Sequence, residues 1–266
     1  MNVPPAAADL LRARLPRSLH VFQRVTGTAH YHFGYFDNGV HDLDRALDRL
    51  ALLETEHFDR GAPVLDAGCG MGGTTVLLSN HGFRVVGIDP SLHSIRFAQA
   101  QTRAGDEVRY VASRLEDFAP ASAGVFGSIV LIEVTQHFDC LGQALTLAGH
   151  VLRPGGRILL KDVFTGRRHP RERVPYHAHM DIDAAVAEAR LDVVRRCDIT
   201  KNVVGTLSLL RARVERCRDE PISTAGGPSL AADLVELDAG LAVLAEAFRA
   251  GDIVYESLLL ERPRQP

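Results

Sequence analysis

The sequence lacks the features that mark membrane, nucleic-acid-binding and disulfide-stabilised proteins. No apolar run approaches the ~18 residues that a membrane span needs, and the N-terminal segment "MNVPPAAADLLRARLPRSL" is too mixed for a signal peptide. The net charge of −3 shows no basic excess, which argues against nucleic acid as a partner. No CxxC pair occurs among the four cysteines, which suits reduced thiols in the cytoplasm: Cys69, Cys140, Cys197 and Cys217. We therefore expect a cytoplasmic protein that acts on neither membranes nor nucleic acids.

Lysine is also scarce. Of the 30 basic residues, two are lysines (Lys161 and Lys201) and the remaining 28 are arginines. Few side chains are therefore available for Schiff-base chemistry. The hydrophobic content of 46% and the charged content of 24% are those of an ordinary globular protein, and 266 residues are enough to bury a large core.

Short apolar segments alternate with helical segments through the middle of the chain. This alternation predicts an α/β fold with a doubly wound, mostly parallel seven-stranded sheet and helices on both faces. Two helices, near 202–218 and 228–249, precede a last strand that we expect to be antiparallel. The predicted strands are "APVLDAGCG", "RVVGID", "VRYVA", "SIVLIEV", "RILLKDVF", "LDVVRRCDI" and "DIVYESLLLER".

A glycine-rich turn follows the first strand, where doubly wound sheets bind their ligands. Asp66 is followed by Gly68, Gly70 and Gly72, and glycines at such a turn allow the backbone to approach a ligand closely. Asp89 ends the second strand, 23 residues after Asp66. An acid at that spacing is suited to the two ribose hydroxyls of an adenosine.

The spacing of the glycines distinguishes between two cofactors. A dinucleotide fold uses GxGxxG, with a helix N-terminus facing a pyrophosphate. Here the glycines alternate strictly and an acid precedes them. A carboxylate at Asp66 would repel a pyrophosphate but suits a cofactor that carries an ammonium group, which favours S-adenosylmethionine over NAD.

Four motifs, "VLDAGCGMGG", "VVGIDPS", "SIVLIEVTQHF" and "LRPGGRILLKD", together resemble those of the class I S-adenosylmethionine-dependent methyltransferases. The resemblance covers about residues 60–165 and implies a Rossmann-like fold. It also implies that the glycine turn (Asp66, Gly68, Gly70 and Gly72) holds the methionine part of the cofactor, and that Asp89, followed by Pro90, holds the ribose.

The resemblance is incomplete where that family contacts adenine. The family usually has an acid near the end of the third strand, whereas this chain has Arg114 there, followed by Leu115. Arg114 and Leu115 are therefore the aligned candidates for the adenine contact, and Glu116 or Asp117 could take the place of the acid.

The segments "YHFGYF" and ExxxH resemble a narrower group, the small-molecule methyltransferases of natural-product pathways, including rebeccamycin-type sugar O-methyltransferases. The resemblance implies that His137 is the general base and that Asp162, at the end of the fifth strand, orients it. An imidazole is suited to proton transfer near neutral pH. Glu133 is expected to face the cofactor, and a catalytic Glu133 would instead indicate carbon methylation, because a carboxylate can take a proton from a carbocation.

The same resemblance implies that the aromatic segment at the N-terminus folds over the cofactor as a lid. Tyr31 and Tyr35, with Gly34 between them, are expected to become ordered when the cofactor binds; a surface turn is the alternative.

A basic stretch after the fifth strand either clamps a phosphate or carboxylate or is a solvated loop: Arg167, Arg168, Arg171 and Arg173. His177, His179 and Asp181 have an HxHxD spacing, but no fourth metal ligand is evident and we predict no metal.

These observations predict a single domain over 1–266, with a lid at 1–55, a cofactor-binding core at 60–165 and a helical insert at 200–250 over the acceptor site. The expected function is methyl transfer from S-adenosylmethionine to a hydroxyl of a small natural-product or sugar-like metabolite. Alternatives are N- or C-methylation of another metabolite, including a prenyl diphosphate, a cofactor-binding protein without catalysis, and a dinucleotide oxidoreductase. The oligomeric state is left open, with a homodimer as one option.

Overall fold

The computed structural model describes residues 15–37, 39–103, 105, 107–165, 179–219 and 227–264. Seven strands form one sheet in the order β3-β2-β1-β4-β5-β7-β6. Strands β1 to β5 run parallel to one another, and β7 lies antiparallel between β5 and β6. The strands are β1 (Val64–Ala67), β2 (Val85–Asp89), β3 (Val108–Ala112), β4 (Phe126–Ile132), β5 (Leu152–Thr165), β6 (Asp192–Asp198) and β7 (Ile253–Glu261). The predicted sheet, including its antiparallel last strand, is confirmed.

Helices cover both faces of this sheet. Alternate residues of β5 point to opposite sides, as the two-residue period of a strand requires. Ile158 and Leu160 join a core cluster with α6 and α7, whereas Val163 joins a cluster built largely from α1, α2, α9 and α10. The helices are α1 (Leu15–Thr26), α2 (Leu43–Leu52), α3 (Gly73–Asn80), α4 (Leu92–Gln101), α5 (Leu115–Phe118), α6 (Leu141–Val151), α7 (His179–Glu188), α8 (Thr200–Val203), α9 (Gly205–Asp219) and α10 (Gly227–Ala250).

The aromatic segment between α1 and α2 is held by backbone hydrogen bonds. The Gly34 N–H donates to Thr206 Oγ1 at 2.9 Å, and the Phe36 N–H donates to the Asn202 carbonyl at 2.8 Å. The Tyr35 N–H donates to the Ala46 carbonyl at 2.7 Å. The segment is therefore fixed to both the second helix and the helices that precede β7.

Two boundaries differ from those predicted. The predicted strand "RILLKDVF" begins at Arg157, whereas β5 begins at Leu152, because Gly155 and Gly156 pair with the backbone of Arg262. Strand β4 ends at Ile132, and Glu133 adopts a left-handed conformation with φ 52°. A non-glycine residue in that region is uncommon and directs attention to its surroundings.

Candidate active site

A cavity of about 380 Å³ opens at the carboxyl ends of β1, β2 and β4. This is the edge of a doubly wound sheet where ligands bind, and the volume lies in the usual range for small-molecule pockets. Its wall combines the glycine turn, the ends of β2 and β4, the start of α5, and the segment 29–32 that precedes the aromatic lid.

The glycine turn forms the floor of this cavity. Gly68, Gly70 and Gly72 all have positive φ, at 84°, 52° and 87°. A Cβ on Gly68 would lie 2.4 Å from Val134 Cγ1, whereas a Cβ on Gly70 would meet nothing within 4 Å. Gly72 does not line the cavity, since a Cβ there would point at Tyr110 and Ala98. A contact between Gly72 and the cofactor stays a prediction; in this structure the lack of a side chain at Gly72 lets α3 begin close to β3 and α4.

Two acids flank the turn as the sequence predicts. Burial raises the pKa of Asp66 to about 7, although the Thr75 hydroxyl, which donates to Oδ2 at 2.6 Å, opposes the rise. Burial also raises the pKa of Asp89. Its carboxylate is fixed by the N–H of Ser91, 2.8 Å from Oδ1, and by the N–H of Gly70, 3.1 Å from Oδ2. This fixed orientation suits the two hydroxyls of a ribose, and a buried Asp66 suits an ammonium group.

The other end of the cavity is bounded by α5 and α4. Arg114, Leu115 and Glu116 all line it, but the Arg114 guanidinium is engaged with Glu116 at 3.4 Å and Asp139 at 3.6 Å. Asp117 is exposed and does not line the cavity, which leaves Glu116 as the acid placed for an adenine amine. Ser94 Oγ is buried against this wall and has no hydrogen-bond partner among the described residues. The residues present therefore fit an adenosine.

Glu133 lies at the centre of the cavity wall. Its Oε1 accepts the Phe33 N–H at 2.6 Å and the Tyr255 hydroxyl at 2.9 Å. Burial raises the pKa of Glu133 to about 8; the Asp162 charge adds to the rise, and the two hydrogen bonds oppose it. A carboxyl group with such a pKa can both take up and release a proton near neutral pH.

The predicted pair of His137 and Asp162 is not formed. Asp162 Oδ2 accepts both the N–H and the hydroxyl of Thr135 at 2.8 Å, and Oδ1 accepts the Val163 N–H. The His137 ring lies instead at the cavity rim, 3.4 Å from Gln136 Nε2. Partial burial lowers its pKa, and the Asp89 charge acts in the opposite direction. The prediction that Asp162 orients His137 is therefore wrong, because Asp162 fixes the turn after β4.

The two predicted lid tyrosines occupy different places. Tyr31 lines the cavity, is 38% exposed, and packs edge-on against Phe22 at 4.7 Å. Tyr35 does not line the cavity and packs against the cluster beneath α9 and α10, so its contact with the cofactor stays a prediction. Pro90, as predicted, lines the cavity beside Asp89.

Sequence reasoning missed two buried histidines, His30 and His32, which also line the cavity. The sequence did contain a signal for them. In the segment "AHYHFGYF" the two histidines alternate with Tyr31, so an extended chain points both to the same face, opposite to Tyr31. Gly73 was missed too; a Cβ there would lie 2.7 Å from the backbone of Ala29 and His30.

Some predicted residues cannot be placed. The basic stretch from Arg167 to Arg173 and His177 lie outside the described residues, as do the side chains of His179 and Asp181. Within the described part of the chain, no group of three or more histidine, cysteine, aspartate or glutamate side chains could hold a metal ion. No helix in the same part is long and apolar enough to cross a membrane.

Comparison with known proteins identifies the family. Residues 65–160 match a family model described as a methyltransferase domain. An O-methyltransferase of Aspergillus nomiae is 33% identical over 157 residues, which are 56% of this chain and 69% of that protein.

Solved structures share the fold at lower identity. The cyclopropane synthase MmaA2 from Mycobacterium tuberculosis superposes with a TM-score of 0.80 at 19% identity, over 98% of this chain and 99% of that one. A geranyl diphosphate methyltransferase, solved with geranyl diphosphate and sinefungin, superposes with a TM-score of 0.72 at 20% identity, over 97% and 98% of the two chains. The chain belongs to the class I S-adenosylmethionine-dependent methyltransferases, and S-adenosylmethionine is its cofactor.

Proposed function

We propose that this enzyme methylates a hydroxyl of a small natural-product metabolite with an apolar skeleton, and that Glu133 takes up the proton. The observation that carries the proposal is the partly buried Glu133 carboxyl, held by Phe33 and Tyr255 at the cavity wall. S-adenosylmethionine supplies an electrophilic methyl group, and the enzyme supplies orientation, exclusion of water and a proton acceptor.

The geometry of Glu133 favours it over His137 as the acid–base group. Both hydrogen bonds that the described residues give its carboxyl end on Oε1. Oε2 is therefore the oxygen left for a proton of the acceptor. A hydroxyl becomes acidic only as the methyl group arrives, so a base that is strong but kept out of bulk water is useful at that moment.

His137 is placed less favourably for that role. It is exposed at the rim, and the charge that acts on it belongs to Asp89, the acid assigned to the ribose. A side chain beside Asp89 would lie near the ribose of the cofactor and not near its methyl group. His137 is better suited to the wall around the adenosine than to the reacting atoms.

We infer the class of acceptor from the residues of the cavity wall and from the proteins to which this chain is similar. Much of the cavity wall is apolar, including Tyr31, Ile132, Val134 and Phe138. Such a surface suits an aromatic or terpenoid skeleton better than a sugar. A relative at 33% identity is named an O-methyltransferase, which supports a hydroxyl as the acceptor group.

A second candidate function is methylation of a carbon atom, the chemistry that the sequence associates with a catalytic Glu133. The two residues that hold Glu133 belong to a group of three aromatic rings: Phe33 packs edge-on against Tyr255 at 5.5 Å and against Phe248 at 5.8 Å. Aromatic rings stabilise a nearby cation, and a neighbouring carboxylate could then take a proton from it. The geranyl diphosphate methyltransferase of similar fold is in keeping with this alternative.

An assay with radiolabelled methyl groups separates the two candidates. Labelled S-adenosylmethionine would be incubated with a panel containing catechol-type phenols, their amine analogues and geranyl diphosphate. The proposal expects label in a phenolic ether. Label in geranyl diphosphate alone, or in the amines alone, would overturn it.

A further inference from the structure

Two buried histidines beside the cavity form a hydrogen-bonded chain that reaches the surface. His32 Nδ1 lies 2.7 Å from the Phe33 carbonyl oxygen, and His32 Nε2 lies 3.0 Å from His30 Nδ1. His30 Nε2 lies 3.0 Å from Oδ1 of Asp48, whose carboxylate is half exposed on α2. Both imidazole rings are more than nine-tenths buried.

The partners fix the number of protons on the two rings. A carbonyl oxygen can only accept, so His32 Nδ1 carries a proton; a carboxylate can only accept, so His30 Nε2 carries another. The two remaining ring nitrogens face each other at 3.0 Å, and two bare lone pairs at that distance would repel. A third proton between them would turn this contact into a hydrogen bond. Three protons on two imidazoles would amount to one positive charge shared by the pair.

The surroundings of the two rings differ. Burial, together with the neighbouring His30, lowers the pKa of His32 well below its usual range, and the positive charge of Lys161 acts in the same direction. His30 is the ring in contact with the carboxylate of Asp48, which balances its charge at the surface end of the chain.

The pair lies at the methionine end of the cavity. His32 is 3.5 Å from Thr74 Oγ1 on the first turn of α3, and the backbone of Ala29 and His30 packs directly on Gly73. Arg114, the arginine in the wall, lies at the opposite end and is already paired with two acids. The methionine part of the cofactor carries a carboxylate as well as an ammonium group. Asp66 suits the ammonium, and a positive charge beside Gly73 and Thr74 would suit the carboxylate.

We propose that the protonated His30–His32 pair is the subsite that recognises the α-carboxylate of S-adenosylmethionine. The pair acts through its charge, because its ring nitrogens are already engaged with one another, with Phe33 and with Asp48. This inference rests on the cofactor assignment and is independent of the acceptor and of Glu133.

Decarboxylated S-adenosylmethionine is the probe that isolates this interaction, since it lacks the carboxylate but keeps the ammonium, the sulfonium and the adenosine. Calorimetry would measure the binding of both ligands to the wild type, to His30→Gln and to Asp48→Asn. Exposed His41, outside the cavity, provides the matched control His41→Gln.

An opposite charge close to a ligand in a partly buried site is worth ~10–100-fold in affinity. His30→Gln and Asp48→Asn should weaken the binding of S-adenosylmethionine by about that factor and leave the binding of the decarboxylated ligand nearly unchanged, while His41→Gln changes neither.

Equal weakening of the binding of both ligands would show that the pair only supports the lid and would overturn the proposal. Unchanged affinity for both would overturn it as well. If His30→Gln does not fold, the surface variant Asp48→Asn decides the question alone. No acceptor is present in the measurement, so an error about Glu133 would not affect it.

Discussion

The Phe33 N–H donates to Glu133 Oε1 at 2.6 Å across one hundred residues of sequence. This bond joins the aromatic segment to the turn after β4, and the left-handed backbone of Glu133 aims the carboxyl at that segment. The Phe33 carbonyl in turn accepts from His32. One residue, Phe33, therefore connects Glu133 with the histidine pair through its own N–H and carbonyl groups.

Asp89→Ala should weaken cofactor binding by about 100-fold with the fold intact, because a carboxylate that accepts two ribose hydroxyls contributes two charged hydrogen bonds. Calorimetry with S-adenosylhomocysteine checks this, and exposed Asp117→Ala serves as the control. Equal affinity in Asp89→Ala and the wild type would remove the ribose assignment.

Gly73→Ala should disturb the contact between α3 and the segment before the lid. The added Cβ would lie 2.7 Å from backbone atoms of Ala29 and His30, so the two must separate. We expect a loss of ~1–3 kcal/mol in the free energy of unfolding and weaker cofactor binding. Gly240→Ala in α10, where the Cβ meets nothing within 4 Å, should be neutral or stabilising. Chemical denaturation of both variants makes the comparison, and equal effects would contradict the packing described.

The stability of the folded protein should depend on pH through Glu133. Its pKa rises from 4.5 to about 8 on folding, so between these values the folded state holds a proton that the unfolded state has lost. The free energy of unfolding therefore falls as the pH rises through this window. Asp66 acts in the same direction, but Glu133→Gln removes the contribution of Glu133 alone. Denaturation of both proteins at several pH values should show a smaller fall for the variant, and parallel curves would contradict the raised pKa.

Hydrogen exchange should divide the N-terminal aromatic segment into two parts. The N–H groups of Phe33, Gly34, Tyr35 and Phe36 all have protein acceptors in the absence of a ligand, so they should exchange slowly with or without S-adenosylhomocysteine. Protection on binding should be confined to residues 29–32 at the cavity wall. Ordering of residues 33–36 only with ligand would restore the expectation of a mobile lid drawn from the sequence.

The sequence predicted the parts of this molecule that follow from local pattern. Alternating apolar segments predicted the sheet, and the spacing of Asp66, Gly68, Gly70 and Asp89 predicted which strand ends line the cavity. It could not predict side-chain partners that depend on packing between distant segments. Asp162 ends its strand as predicted, yet Thr135 takes its carboxylate, and His137 therefore has no acid behind its ring. The histidine pair also depends on Asp48, which α2 supplies, and no local sequence pattern predicts that Asp48 lies beside His30.

The central claim is that Glu133, and not His137, takes up the proton during methyl transfer. Turnover would be measured with saturating S-adenosylmethionine and the best acceptor of the panel, for Glu133→Gln, His137→Gln and the exposed control Glu215→Gln, after calorimetry has confirmed that each binds cofactor. We expect Glu133→Gln to lose ~10²–10⁴-fold in kcat, as removal of a general base usually does, while His137→Gln and Glu215→Gln keep most of their turnover. A loss of that size in His137→Gln, with Glu133→Gln close to the wild type, would contradict the claim.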